Sequence, residues 1–225
     1  MRQNSFICCF LALLLSHAIT GQKIPKGFAS VKSAIPSIII DLRYGTTENF
    51  TGRIVDGYQK PKAVLTQSTL TALRNAQLKF ESYGVGIKLF DGYRPQKAVN
   101  DFIAWSNDIN DTLQKATYYP NINKVELFDR GYIARRSGHS RGSTVDITLV
   151  YTTGKNKGKE VDMGGTWDFF GTRSWIESKE ISLQQQSNRE LLQMVMKAAG
   201  FRPYSKEWWH FTLVKEPFPE TYFDF

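Results

Sequence analysis

The sequence predicts a single α+β domain, with a central, mostly antiparallel sheet and flanking helices. Three observations lead there. A helical apolar period over residues 66–83 gives way at once to a strict alternation over 85–89, so helix and strand are mixed along the chain. The mixture has no regular strand–helix–strand rhythm, and no Gly-rich phosphate loop follows a strand, which argues against a doubly wound sheet. At 225 residues and 41% hydrophobic content, the chain can bury one sizeable core, and nothing in its composition marks a second domain.

The N-terminus stands apart. Arg2 gives a short positive end, residues 6–15 are apolar, and Ala18, Thr20 and Gly21 are small or polar. This is the layout of a secretory signal peptide over residues 1–21, which leaves residues 22–225 as the mature domain. The expected location is therefore outside the cytosol, periplasmic or secreted. The apolar run is too short to span a bilayer, and no later stretch approaches the required ~18–20 apolar residues, so no stable membrane insertion is expected after cleavage. Cleavage would remove Cys8 and Cys9, and with them any disulfide or thiolate chemistry. It would also remove His17, leaving His139 and His210. The net charge of +8 includes Arg2 and is carried without a dense Lys/Arg run. It reads as solubility, and export makes nucleic acid a poor partner.

Along the mature chain, the first helix places Leu70, Leu73, Leu78 and Phe80 roughly on one side, with Gly84 as its stop. Val85, Ile87 and Leu89 then alternate with Gly86 and Lys88 as a strand. That strand runs into Asp91-Gly92-Tyr93-Arg94-Pro95, a turn whose proline suits a helix start. In the helix that follows, Val99, Phe102 and Ile103 give an apolar side, and Asn100 and Asp101 a polar one. Residues 144–151 form a second strand, with Val145, Ile147, Leu149 and Tyr151 on one face and Asp146 and Thr148 on the other. Ser187 and Glu190 have capping-box spacing and open a helix through Leu191, Leu192, Val195 and Ala198, closed by Gly200. A last strand over residues 208–214 leads into an aromatic tail.

Two segments carry chemistry: Ser137-Gly138-His139-Ser140-Arg141-Gly142-Ser143-Thr144-Val145-Asp146, and Glu207-Trp208-Trp209-His210. Imidazole and carboxylate suit a borderline ion such as zinc, and three protein ligands with one open position is the catalytic pattern. His139, Asp146 and His210 supply such a set. Glu207, three residues before His210, would face away on a regular strand, so it must sit in a turn or bulge to reach the same centre. Taken alone, the signals have plainer readings: Arg94 as an ion-pair residue, Asp91 as a helix cap, Trp208 and Trp209 as core.

Their arrangement in order resembles the VanX-type zinc D-alanyl-D-alanine dipeptidases. The resemblance extends to Asp41-Leu-Arg-Tyr44, Asn49-Phe-Thr-Gly52, Asp56-Gly-Tyr58, Asp91-Gly-Tyr-Arg-Pro95, Tyr118-Tyr119-Pro120-Asn121-Ile122 and Tyr222-Phe-Asp-Phe225, covering the chain from about residue 40 to its end. A wider relative is the hedgehog-like and DD-carboxypeptidase group, which shares the metal triad and the α+β fold. The resemblance implies one zinc per chain, held by His139, Asp146 and His210. Glu207 matches the catalytic base and Arg94 the group that stabilises the transition state. Tyr44, Tyr58, Asp91, Ser137 and Asp168 match positions that line the substrate pocket. The expected substrate is the small dipeptide D-Ala-D-Ala, with cell-wall fragments as further partners. The segment between Leu149 and Asp168 departs from the pattern, with extra residues over 154–159, and so does the export signal. Two other readings stay open: a DD-carboxypeptidase or peptidoglycan peptidase with the same zinc site, and a non-catalytic zinc-stabilised wall-binding module.

Overall fold

A computed structural model describes residues 24–225; the signal-peptide assignment to residues 1–21 falls outside them. The core is a five-stranded sheet in the order β2-β4-β5-β7-β6, formed by Ile39–Ile40, Val85–Asp91, Thr144–Tyr151, Glu207–Leu213 and Phe201–Tyr204 respectively. Only β2 and β4 run parallel; the other three pairings are antiparallel. A smaller antiparallel pair joins β1 (Phe28–Ser30) to β3 (Val64–Thr66). The helices are α1 (Val31–Ala34), α2 (Gln67–Glu81), α3 (Gln96–Asn107), α4 (Lys115–Tyr118) and α5 (Leu183–Ala198). The α+β expectation holds, with a mostly antiparallel sheet. Among the described residues, no helix is long and apolar enough to cross a membrane.

The central strand β5 has seven buried residues followed by the half-buried Tyr151, so both of its faces are covered. Its Thr144, Asp146 and Thr148 are as buried as its Val and Ile residues. A polar side chain at such depth needs partners, which marks that face as more than packing. On α2, Thr66 caps the helix by accepting the N–H of Thr69 at 3.4 Å. Leu70, Leu73 and Phe80 are buried as expected, but Leu78 is 59% exposed. The true stripe continues through Gln77, one position away and therefore about 100° around the helix. Gln77 is buried because its Oε1 accepts the N–H of Ile87 at 2.8 Å, tying α2 to β4.

The helix predicted from Ser187 begins earlier. Ser182 is the cap of α5, and it forms a capping box with Gln185. Ser187 lies inside the helix, and the Ser-x-x-Glu spacing there is coincidental. On the buried side of α5, Arg189 is 1% exposed; its Nε donates to the Met163 carbonyl at 2.6 Å and its Nη1 to the Trp175 carbonyl at 2.9 Å. Burial pushes the guanidinium pKa down to about 10, with Asp162 pulling the other way, and the group remains charged at neutral pH. It holds both ends of the loop over residues 163–175, which carries Asp168. Arg189→Leu should cost about 2–3 kcal/mol of stability, because two carbonyls lose charge-assisted bonds. Chemical denaturation of the purified chain measures it.

Candidate metal centre and active site

Two neighbouring strand pairings bring the polar row together. Asp146 on β5 lies opposite His210 on β7 and opposite Asp91 on β4. The second pairing depends on a bulge, since Leu89 faces Ile147 and Asp91 faces Asp146, leaving Phe90 as the extra residue on β4. Such a bulge re-aims a side chain, and here it brings Asp91 into the row. On β7, pairing with β5 ends at His210, and Tyr204 on β6 faces Glu207 across a register shift. Glu207 is thus freed from strict strand alternation. Its Oε2 lies 3.4 Å from His210 Nδ1, as the required bulge or turn anticipates.

His139 comes from the 3-10 turn Gly138–Arg141, whose first N–H groups are met by Ser137: the Ser137 hydroxyl accepts the His139 N–H at 3.2 Å. Gly142 ends the turn at φ +73°, and a Cβ there would stand 2.1 Å from the Phe28 ring, so only glycine fits. His139 Nδ1 is 2.8 Å from the Gly92 carbonyl. A carbonyl only accepts, so Nδ1 carries the proton and Nε2 presents its lone pair. That Nε2 is 3.2 Å from Asp146 Oδ1, and His210 Nδ1 is 3.0 Å from the same oxygen.

The three ligand atoms of His139, Asp146 and His210 lie within 4.8 Å of one another. His139 Nε2 and Asp146 Oδ1 are fully buried and make no hydrogen bond of acceptable geometry. Two buried acceptor atoms aimed at each other are costly unless something between them accepts their lone pairs. A metal ion does so, and the imidazole–carboxylate donor set is one such ions take. Charge points the same way: the carboxylates of Asp146, Asp168 and Glu207 outnumber the two side-chain cations that line the cavity, Arg94 and the exposed Arg136. Burial alone would raise the Asp146 carboxyl, but His139 and His210 outweigh it and hold the group well below the carboxylate range. Burial pushes Glu207 up to about 7, with His210 lowering it and Asp146 raising it.

The cavity around this cluster measures about 230 Å³ and is lined by Tyr44, Arg94, Ser137 and Asp168 as well as by the triad and Glu207. Arg94 Nε donates to Asp91 Oδ2 at 2.9 Å, and its Nη2 stands 3.6 Å from Asp146 Oδ2. The guanidinium lies over the Tyr44 and Phe102 rings. Asp168 holds φ +60°, the one non-glycine residue described with positive φ, and its Oδ2 accepts the Tyr44 hydroxyl at 2.7 Å. Burial, then the charge of Asp146, raises its carboxyl well above the ordinary value.

Not every predicted residue lines the cavity. Tyr58 and Asp91 stand behind Arg94: the Tyr58 hydroxyl donates to Asp91 Oδ1 at 2.6 Å, while Asp91 Oδ2 holds the guanidinium. These two hold Arg94 from outside the cavity lining. Nor does Asp91 cap α3; its Oδ1 takes the Gly92 N–H. Sequence reasoning missed Tyr132, Tyr204, Phe102 and Phe170 as lining residues. Phe102 carried a signal as part of an apolar helix face, but no pattern over residues 128–137 could have placed Tyr132. Beyond Tyr132 and Phe170, which line both spaces, lies a wider cleft of about 970 Å³.

Comparison with known proteins accords with this geometry. The D-ala-D-ala dipeptidase family model, peptidase family M15, matches residues 25–225. The D-alanyl-D-alanine dipeptidase of Streptomyces coelicolor is 46% identical over 198 residues, covering 88% of this chain and 96% of the relative. That of Enterococcus faecalis is 42% identical, over 89% of this chain and 98% of its own. That of Escherichia coli is 30% identical, over 79% and 80%. With almost every described residue inside the family model, and relatives matched over nearly their whole length, the chain belongs to the D-ala-D-ala dipeptidase family of metallopeptidases.

Proposed function

We propose that this chain is a zinc enzyme that hydrolyses the dipeptide D-Ala-D-Ala to free D-alanine outside the cytosol. One observation carries the reading: a cavity of about 230 Å³ that gathers a metal-ready triad, the Glu207 carboxylate, the Arg94 guanidinium and a second buried carboxylate, Asp168. That volume is below the roughly 300–1,000 Å³ of sites for drug-sized ligands, and it favours a substrate of dipeptide size.

His139, Asp146 and His210 would hold the zinc, which when bound supplies Lewis acidity and an acidified water. Glu207 takes the proton of the attacking water and returns it to the amine as the carbon–nitrogen bond breaks. Its elevated pKa suits a group that must both accept and give a proton near neutrality. Arg94, held from behind by Asp91 and Tyr58, presents its guanidinium to the oxygen that gains charge on attack. Water is the nucleophile, and with His139 and His210 assigned to the metal neither is free to activate a serine in its place.

Asp168 would pair with the substrate ammonium, and Ser137 offers a neutral hydrogen bond. A longer peptide carries an amide where the dipeptide carries an ammonium, so nothing offsets the cost of ionising the buried Asp168, and it is rejected on that account. Asp168→Asn should therefore lower kcat/KM for D-Ala-D-Ala by about 10²–10³, mostly through KM. Steady-state kinetics on the dipeptide measures both constants.

The signal-peptide layout of residues 1–21 supports export to the periplasm or medium. An enzyme so placed would recover dipeptide released from cell-wall material, because the cytosolic precursor pool is out of its reach. Fractionation that finds the mature chain in the cytosol would overturn this placement. The activity itself is tested by hydrolysis of D-Ala-D-Ala by residues 22–225, with chelator and with zinc add-back. Loss on chelation and recovery with zinc is the expected result. Inactivity of a folded, zinc-loaded protein toward the dipeptide, with cleavage of a muropeptide, would move the assignment to a wall peptidase that uses the wider cleft.

A further inference from the structure

The helix that follows Arg94 starts without a cap of its own. Pro95 occupies the N-cap position of α3 and makes no side-chain cap bond, so the first N–H groups need partners from elsewhere. They find them in the tail of the chain. The Gln96 N–H donates to the Phe223 carbonyl at 3.2 Å, and the Lys97 N–H donates to Asp224 Oδ1 at 3.0 Å. A carboxylate at this end also complements the helix dipole.

The same strip reaches the other functional turn. The Phe223 N–H donates to the carbonyl of Ser140, the neighbour of His139, at 2.9 Å. The Phe225 N–H donates to the hydroxyl of Tyr93, the neighbour of Arg94, at 2.7 Å. Phe223 therefore bonds through its N–H to the His139 turn and through its carbonyl to the start of the Arg94 helix. The two turns are also tied directly, by His139 Nδ1 to the Gly92 carbonyl at 2.8 Å and by the longer bond from the Arg94 N–H to the His139 carbonyl at 3.3 Å, and Phe223 adds the link that reaches the helix start itself.

A satellite aromatic cluster anchors the strip. Phe28, Val64 and Tyr93 form its buried part, with Phe218, Phe223 and Phe225 packed against them. The Tyr93 and Phe225 rings stack at 4.0 Å, and Phe28 meets Phe223 edge-on at 4.9 Å. None of these side chains lines the catalytic cavity.

We propose that residues 223–225 are a positioning element: they cap α3 from outside and tie the Arg94 turn to the His139 turn, fixing the guanidinium against the metal ligands. The turnover part of this proposal rests on the function proposed above; the metal-affinity and backbone parts do not. Asp224 acts on the Arg94 side alone, through Lys97, whereas Phe223 acts on both sides.

Three forms of residues 22–225 separate these roles: Asp224→Ala, Asp224→Asn and a deletion of residues 223–225. Asp224→Ala should lower kcat for D-Ala-D-Ala about tenfold with KM nearly unchanged, since a misplaced oxyanion donor is felt in the transition state. Its zinc affinity, read by competition with a chromogenic chelator, should stay within about twofold of the parent because the Phe223–Ser140 bond remains. Asp224→Asn keeps an acceptor at the same place and should restore most of kcat, with Lys97 amide exchange as slow as in the parent. The deletion should lower kcat further, by about 10²-fold, and weaken zinc binding about tenfold or more.

The proposal is overturned by an Asp224→Ala protein with parental kcat and parental Lys97 exchange. An Asn variant as impaired as the Ala variant, or a deletion that leaves zinc affinity unchanged, overturns it equally. If the parent fails to hydrolyse the dipeptide, the proposed function falls. Zinc affinity and amide exchange then decide the positioning role on their own.

Discussion

Glu207→Gln is expected to lower kcat for D-Ala-D-Ala by about 10³–10⁴-fold while zinc stays bound and the melting temperature stays within a few degrees of the parent. Glutamine matches glutamate in volume and hydrogen-bonding length but cannot take a proton from water. No other group in the cavity is free to replace it. The Asp168 carboxylate is bound by the Tyr44 hydroxyl, and Asp146 lies between His139 and His210. The metal should remain because the triad does not include Glu207, whose closest triad contact is the 3.4 Å approach to His210. Stability should not suffer either. Burial raises the Glu207 carboxyl pKa, so the site bears a cost for the charged form that an amide lacks. Single-turnover and steady-state kinetics, with zinc content measured on the same sample, test all three expectations. A loss of less than tenfold would assign the proton transfer to another group.

Glu207 also shows how far the sequence could be read. The alternation of β5 put Asp146 on the face opposite Val145 and Ile147, and the helical and strand periods of residues 66–91 and 144–151 located most of the sheet. The odd spacing of Glu207 and His210 required a break in strand regularity, and β7 has one where its pairing with β5 ends. What escaped was short or non-periodic. β1, α1, β2 and β3 span only two to four residues each, too few for any period to register. At Leu78 the apolar count was misled by a helix that buries Gln77 to satisfy a strand N–H. At Ser187 a capping-box match lay inside a helix whose own box begins at Ser182.

The functional residues divide along the same line. His139, Asp146, His210, Glu207 and Arg94 sit in ordered motifs, and the structure gathers them around one cavity. Asp91 and Tyr58 belong to motifs as well, yet they act one layer back, because a bulge at Phe90 turns Asp91 toward the guanidinium. A motif shows that residues work together; only the fold tells which of them faces the substrate. The tail is a similar case: its aromatic residues are plain in the sequence, but nothing local shows Asp224 capping a helix that starts 128 positions earlier, at Gln96.

Asp146→Asn should have the largest effect on the metal. Asp146 Oδ1 sits between two imidazole nitrogens, 3.2 Å from His139 Nε2 and 3.0 Å from His210 Nδ1, at the middle of a row that spans β4, β5 and β7. Asparagine keeps the shape but removes the charge that offsets a dication. Its amide N–H groups can also bond to the imidazole lone pairs, closing the triad on itself where the metal would enter. Zinc affinity should fall by more than about 10²-fold, beyond the 10–100-fold typical of losing an outer-shell partner. Turnover should fall below detection. The strand should persist, because the Asp146 backbone pairing with Asp91 and His210 does not depend on the side chain. Far-ultraviolet circular dichroism on the metal-free protein checks that, and chelator competition gives the affinity. Together with Glu207→Gln, the variant separates the two halves of the site: one protein should lose the metal and so the reaction, the other should keep the metal and lose only the proton transfer. An Asp146→Asn protein that retained parental zinc affinity would show that the ion is bound elsewhere, and the assignment of all three ligands would fail with it.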